Sequence, residues 1–140
     1  MKKHTDALVA LIQAVPALAS ATFVSRAVTA DGSPVPLPYV VIHPTDGRDD
    51  SDRLAAPGIT QNPRFQITSV GSTYEQCAWA AEKVKAVLVT GGIGVAPTIS
   101  GERAGSFWYS VPQAVQTDNE VNPPLLYHTA ECGFSSVPTA

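Results

Sequence analysis

From position 64 to position 75 the chain runs Arg64-Phe65-Gln66-Ile67-Thr68-Ser69-Val70-Gly71-Ser72-Thr73-Tyr74-Glu75, and the spacing of its inward-facing residues changes partway along. Phe65, Ile67 and Ser69 alternate with Arg64, Gln66, Thr68 and Val70, the period-2 pattern of a half-buried strand. Gly71 breaks that pattern. Ser72 and Glu75 then have the S-x-x-E spacing of a capping box, in which each side chain satisfies a free backbone amide of the other. Beyond it Tyr74, Cys77, Ala78, Ala81, Val84 and Leu88 recur as one apolar helical stripe, and Gly91-Gly92 supplies a left-handed cap. Trp79 falls off the stripe, on the face of Glu75, Glu82, Lys83 and Ala86, so it is expected to pack under a loop or to touch a partner.

Toward the start of the chain, Tyr39 to His43 (YVVIH) is a continuous apolar run and predicts a central strand covered on at least one face. Thr22 to Val28 (TFVSRAV) is a β-branched run of strand length. Asp31-Gly32, Pro34 and Pro36 mark a stiff turn between the two. The first 21 residues allow two readings. Lys2, Lys3, the run from Ala7 to Ala19 and the small-x-small site Ala19-Ser20-Ala21 imitate a secretory leader. Leu8, Leu11, Ile12, Val15 and Leu18 also follow the spacing of a buried helical face, which Asp6 and Gln13 do not disturb. On the helical reading Thr5 caps the start and Pro16 ends or kinks the helix.

Toward the end, residues 93–100 predict a short edge strand, and Ser106 to Val115 a strand whose end Pro112 demotes to an edge or bulge. Residues 116–124 read as a polar loop. Leu125 to Phe134 alternates Leu126, His128, Ala130 and Cys132 against Leu125, Tyr127, Thr129 and Glu131, and residues 135–140 are expected to be a flexible tail. The order is α-β-β-β-α-β-β in one domain, 1–140. It predicts an α+β fold: a largely antiparallel or mixed sheet with two helices packed on one face.

At 140 residues the chain has the size of one domain, but only 15% of it is charged against a typical quarter. So little charge suggests that part of the surface is covered by other protein. The 12 prolines predict ordered loops and exclude an all-helical bundle. A net charge of -3 without a basic block argues against a nucleic-acid backbone binder and a polybasic membrane anchor, and no apolar run is long enough to span a bilayer.

Chemistry is sparsely signposted. His4, His43 and His128 have no second His or Cys two to four residues on, and Cys77 lies far from Cys132, so no metal site and no cofactor is expected. A Cys77–Cys132 disulfide would need an oxidising compartment. The loop from Asp46 to Arg53 has Arg48, Ser51 and Pro57 where a calcium loop needs a ligand, a glycine and a glutamate, which leaves a solvated or partner-facing loop with internal ion pairs. Gly91-Gly92-Ile93-Gly94 lacks the lysine of a phosphate loop. No nucleophile elbow, zinc-protease or kinase signature occurs, so no enzymatic activity is expected.

The ordered layout carries more than any single motif: an opening helix, a strand, Leu37-Pro38-Tyr39-Val40-Val41-Ile42, a long polar loop, Arg64 to Thr73, then Ala78 to Leu88 (AWAAEKVKAVL). Over most of residues 5–134 this resembles the tail terminator (tail completion) proteins of long-tailed bacteriophages, particularly those of actinobacterial phages. The loop around Pro34 and Pro36 departs from that family. The resemblance implies a structural virion protein, assembled in the host cytoplasm, that forms a hexameric ring at the head-proximal end of the tail. There it stops growth of the tube and docks the tail to the head. Its partners would be further copies of itself, the major tail tube protein and a head-side stopper or connector, with DNA passing through the lumen unread and no membrane involved. An acidic balance suits such a conduit. Loops 44–63 and 116–124 are then expected to make the axial contacts, with an interface drawn from Arg48, Asp49, Asp50, Asp52, Arg53, Trp79, Asp118, Asn119 and Glu120. Two other readings stand beside it: a head–tail stopper or other connector subunit, and a secreted disulfide-containing domain that binds a small ligand.

Overall fold

The computed structural model describes residues 2–45, 50–51, 59–121 and 123–139. Its elements, in order, are α1 (Lys2–Gln13), a 3-10 turn (Pro16–Leu18), β1 (Thr22–Val24), β2 (Tyr39–Thr45), β3 (Asp50–Ser51), β4 (Ile59–Thr60), β5 (Arg64–Gly71) and α2 (Tyr74–Leu88). There follow β6 (Val89–Thr90), β7 (Ile93–Gly94), β8 (Glu102–Ala104), β9 (Trp108–Ser110), β10 (Gln116–Asp118), β11 (Leu125–Gly133) and β12 (Ser136–Pro138). The main sheet runs β1-β2-β5-β11-β10, with β9 also paired to β11. The fold is α+β, as the residue pattern implies.

β5 sits at the centre because both of its edges find long antiparallel partners: Ile67 lies opposite Ile42 of β2 and Ala130 of β11. The alternation read from its sequence holds. Phe65, Ile67 and Ser69 are buried on one face together with Val40, Ile42, Ala130 and Cys132. Both helices close that face, α1 with Leu8 and Ile12, α2 with Cys77, Ala80, Ala81, Val84 and Leu88. Each fully buried Leu or Ile contributes roughly 1.5–3 kcal/mol, so Leu8 and Ile12 alone anchor α1 firmly. The first residues thus form part of the core, and α1 starts three residues before the expected Thr5 cap. Thr5 is buried inside the helix, and a Lys2–Asp6 ion pair at 2.6 Å spans the first turn.

Several boundaries move for local reasons. The box at the start of α2 is shifted by one residue: Thr73 caps by accepting from the Gln76 amide, and Gln76 Oε1 accepts from the Ser72 amide and hydroxyl. The buried stripe rotates with it. Ala80 is inside, while Tyr74, assigned to the stripe, is 61% exposed. Gly71 is required by proximity, since a Cβ there would lie 2.7 Å from the Cys77 amide nitrogen. Gly91 and Gly92 do not cap the helix. Both have positive φ and form the two-residue turn of the β6–β7 hairpin, where only glycine is unstrained at both positions.

The predicted strand 22–28 stops at Val24, because Ser25 takes φ 63 and the Arg26 amide bonds to the Val24 carbonyl in a tight turn. β1 and β2 pair in parallel without a crossover helix between them. The 14 residues of 25–38 suffice, since an extended chain of that length reaches roughly 46 Å. Within them Asp31 accepts from the Ser33 hydroxyl and amide and from Thr29, bonds that hold its carboxyl at about 2. The strand predicted for 106–115 narrows to β9, which ends before Pro112, and the first three residues of the predicted loop 116–124 form β10 against β11. Ser136–Pro138, expected to lie in a flexible tail, instead form β12 against β8. Three residues are too few to show a period, and their partners in β8 and at Gln61 lie far off in sequence.

Candidate assembly surface

The helices cover one face of the sheet, and strand register assigns the residues of the other. Phe23, Val41, Thr68 and Thr129 form one cross-strand row, and Tyr39, Val70, Tyr127 and Gln116 a second. Directly opposed residues on one face sit about 5 Å apart and shield one another. Val41 and Val70 are accordingly only 7% exposed although no helix packs over them. Phe23 and Tyr39 meet edge to face at 6.1 Å, and the Tyr127 hydroxyl donates to Gln116 at 2.6 Å.

Toward the other end of this face the rows become polar: His43, Gln66, Glu131 and Ser110, then Thr45, Arg64, Gly133 and Trp108. Gly133 leaves the space that the Trp108 indole occupies, since a Cβ there would approach the ring to 2.8 Å. The Arg64 guanidinium lies 5.7 Å from that ring and 3.7 Å from Glu131. Trp108 remains 42% exposed. Its alternation with the buried Phe107 and the half-buried Tyr109 was available in the sequence as a sign that it faces outward.

The described residues among those expected at an interface lie on separate elements. Asp118, Asn119 and Glu120 lie together at the β10 edge, where Asp118 accepts from the Glu120 amide at 3.0 Å. Trp79 lies on α2, beside Pro38 at the rim of a cavity of about 340 Å³ lined by Ala17, Ala21, Val35 and Leu37. Lys83 approaches its ring to 5.8 Å, so the indole packs beside a loop and stays partly exposed. Arg48, Asp49, Asp52 and Arg53 lie outside the described residues. Asp50 opens β3, opposite Thr60.

The interior holds three groups worth chemical scrutiny. Cys77 and Cys132 are buried free thiols, and burial pushes Cys132 up to about 12 and Cys77 upward as well, which keeps both protonated and unreactive. Cys77 donates to the Ser69 carbonyl; Ser69 pairs with His128, and Cys132 is four residues further along β11, roughly 13 Å away. No disulfide bridges that distance. His128 points to the helix side, where burial lowers its pKa, and its Nδ1 has no hydrogen-bond partner among the described residues. It borders a cavity of about 210 Å³ with Tyr109, Lys85 and Glu82.

The third group was not legible from spacing. Glu102, with its side chain 1% exposed, accepts from Ser136 Oγ at 3.0 Å, lies 3.0 Å from His4 Nε2 and is ion-paired with Lys3 at 2.5 Å. Burial by itself raises a carboxyl pKa; the contacts from Lys3, His4 and Ser136 outweigh it and hold Glu102 at about 2. Among the described residues no group of three or more His, Cys, Asp or Glu could hold a metal ion, and no helix is long and apolar enough to cross a membrane.

The fold is an α+β domain whose two helices pack on one face of the sheet. No family model matches the chain, and no curated protein matches it. Among solved structures, it is similar to a chain from a structure described as the virion of a native gene transfer agent (GTA) particle. The two share 16% identity with a TM-score of 0.48, over 94% of this chain and 84% of that one.

Proposed function

We propose that this chain is a structural, non-enzymatic virion protein of the tailed-phage type: a tail terminator that forms a ring, likewise hexameric, on the head-proximal end of the tail tube. The observation that carries this reading is the sheet face turned away from the helices, where Phe23, Tyr39, Val41, Val70 and Tyr127 form an apolar patch, bordered by Thr68, Thr129 and Gln116, that a neighbouring subunit can seal. The family resemblance over residues 5–134 supports the same assignment. In the ring, loops 44–63 and 116–124 reach axially toward the tail tube protein on one side and the head-side connector on the other. Net negative charge lets DNA slide through the lumen without sticking.

The test is to size the purified protein by light scattering and image it with isolated tail tubes. Rings that cap one end of the tube are expected. A monomer at micromolar concentration that leaves tube ends bare overturns the proposal.

A further inference from the structure

The segment after β11 is strapped across the molecule rather than left loose. Phe134 is buried against Phe65 and Phe107, and its amide bonds to the Pro63 carbonyl at 3.3 Å. Ser135 Oγ donates to Asn62, and its carbonyl accepts from the Gly105 amide. Ser136 exchanges two backbone bonds with Gln61, at 2.8 and 2.9 Å, and β12 pairs with β8 on its other side. β12 therefore lies between the base of the segment that leaves β2 and returns at β4, and the strand that carries Glu102.

Glu102 ties this strap to the opposite end of the chain. Its oxygens are approached by Ser136 from β12 and by Lys3 and His4 from α1, three side chains brought together across 34 to 99 residues. Outside this node β12 is held by a three-residue ladder and a few loop bonds, and Pro138 is already exposed. A buried carboxylate with three partners is strongly favoured only while all of them are in place, so its contacts form and break together.

We propose that Glu102 is the pin of a clasp: it closes β12 onto α1 and β8, and through the Ser136–Gln61 bridge it fixes residues 59–63, the base of the long loop between β2 and β5. Opening the clasp frees strap and loop base as one unit while the main sheet stays folded, the behaviour of a local opening with a free energy below that of global unfolding.

Hydrogen exchange followed by mass spectrometry on the full chain at neutral pH tests this. With Glu102→Gln, peptides covering 134–139, 59–63 and 2–6 are expected to exchange at least tenfold faster, together, while those covering 64–71 and 125–133 stay within twofold of the parent. With Ser136→Ala the same pattern is expected at smaller amplitude in 134–139 and 59–63. Uniform acceleration of all peptides, opening of 134–139 without 59–63, no change in either variant, or a Glu102→Gln chain that cannot fold each overturns the clasp.

Discussion

The two faces of β5 are sealed by different means. Phe65, Ile67 and Ser69 lie on the face closed off by two helices and by the buried Phe134, elements that come from both ends of the chain as well as from the helix that follows β5. Val70, on the outer face, is nearly as inaccessible, and there its neighbours in register are Tyr39 and Tyr127 rather than a helix. The inner face is a finished core. The outer one is a surface partly dried by its own side chains, and it is the face proposed above to meet a neighbouring subunit. Burial alone therefore does not separate fold from interface; what matters is whether the covering groups are themselves covered.

Changes on the inner side should act on stability. Ile67→Ala is expected to destabilise the folded chain by about 2–5 kcal/mol in urea titrations, with no loss of association per folded molecule. An effect below 1 kcal/mol would show that the two faces are alike. Glu102 contributes next. Because its pKa is held at about 2, below the ordinary 4.5, its stabilisation is complete above pH 4.5 and is lost as pH falls toward 2. About 3 kcal/mol should disappear over that window, and Glu102→Gln should flatten that part of the stability–pH curve. Gly71→Ala forces α2 away from the strand end and is expected to cost about 1–3 kcal/mol, visible as a lower thermal midpoint.

The outer face should show the opposite balance. Val41→Lys can lift its ammonium clear of the sheet, so a stability change within about 1 kcal/mol is expected. Ring formation should nevertheless be abolished when assayed by light scattering. Intact rings would mean that assembly uses another surface.

The central architecture was legible because its signals are local. Alternation at Arg64 to Val70 and at Leu125 to Glu131, and the apolar run at Tyr39, give the strands, their inward faces and the helix between them. Side-chain competition moved the details: Thr73 and Gln76 captured the cap from Ser72 and Glu75, and Gly91-Gly92 served a hairpin turn instead of a helix end. The Glu102 node was invisible because His4 is 98 residues away and Ser136 is 34, distances at which no periodicity operates. The outer rows could be assembled only once strand register was known, so the sequence could show that Trp108 faces outward but not that it stands in one row with Thr45, Arg64 and Gly133.

The tight turn at Ser25 has a bearing on how the protein avoids sticking to itself. β1 offers only three residues along its free edge, and the Val24 carbonyl is already spent on the Arg26 amide. A stray strand in the crowded interior of a cell finds almost no template there, so endless strand-by-strand growth into fibrils is blocked at the margin where it would otherwise begin. A molecule proposed to bring a polymer to a halt is thus guarded against becoming one.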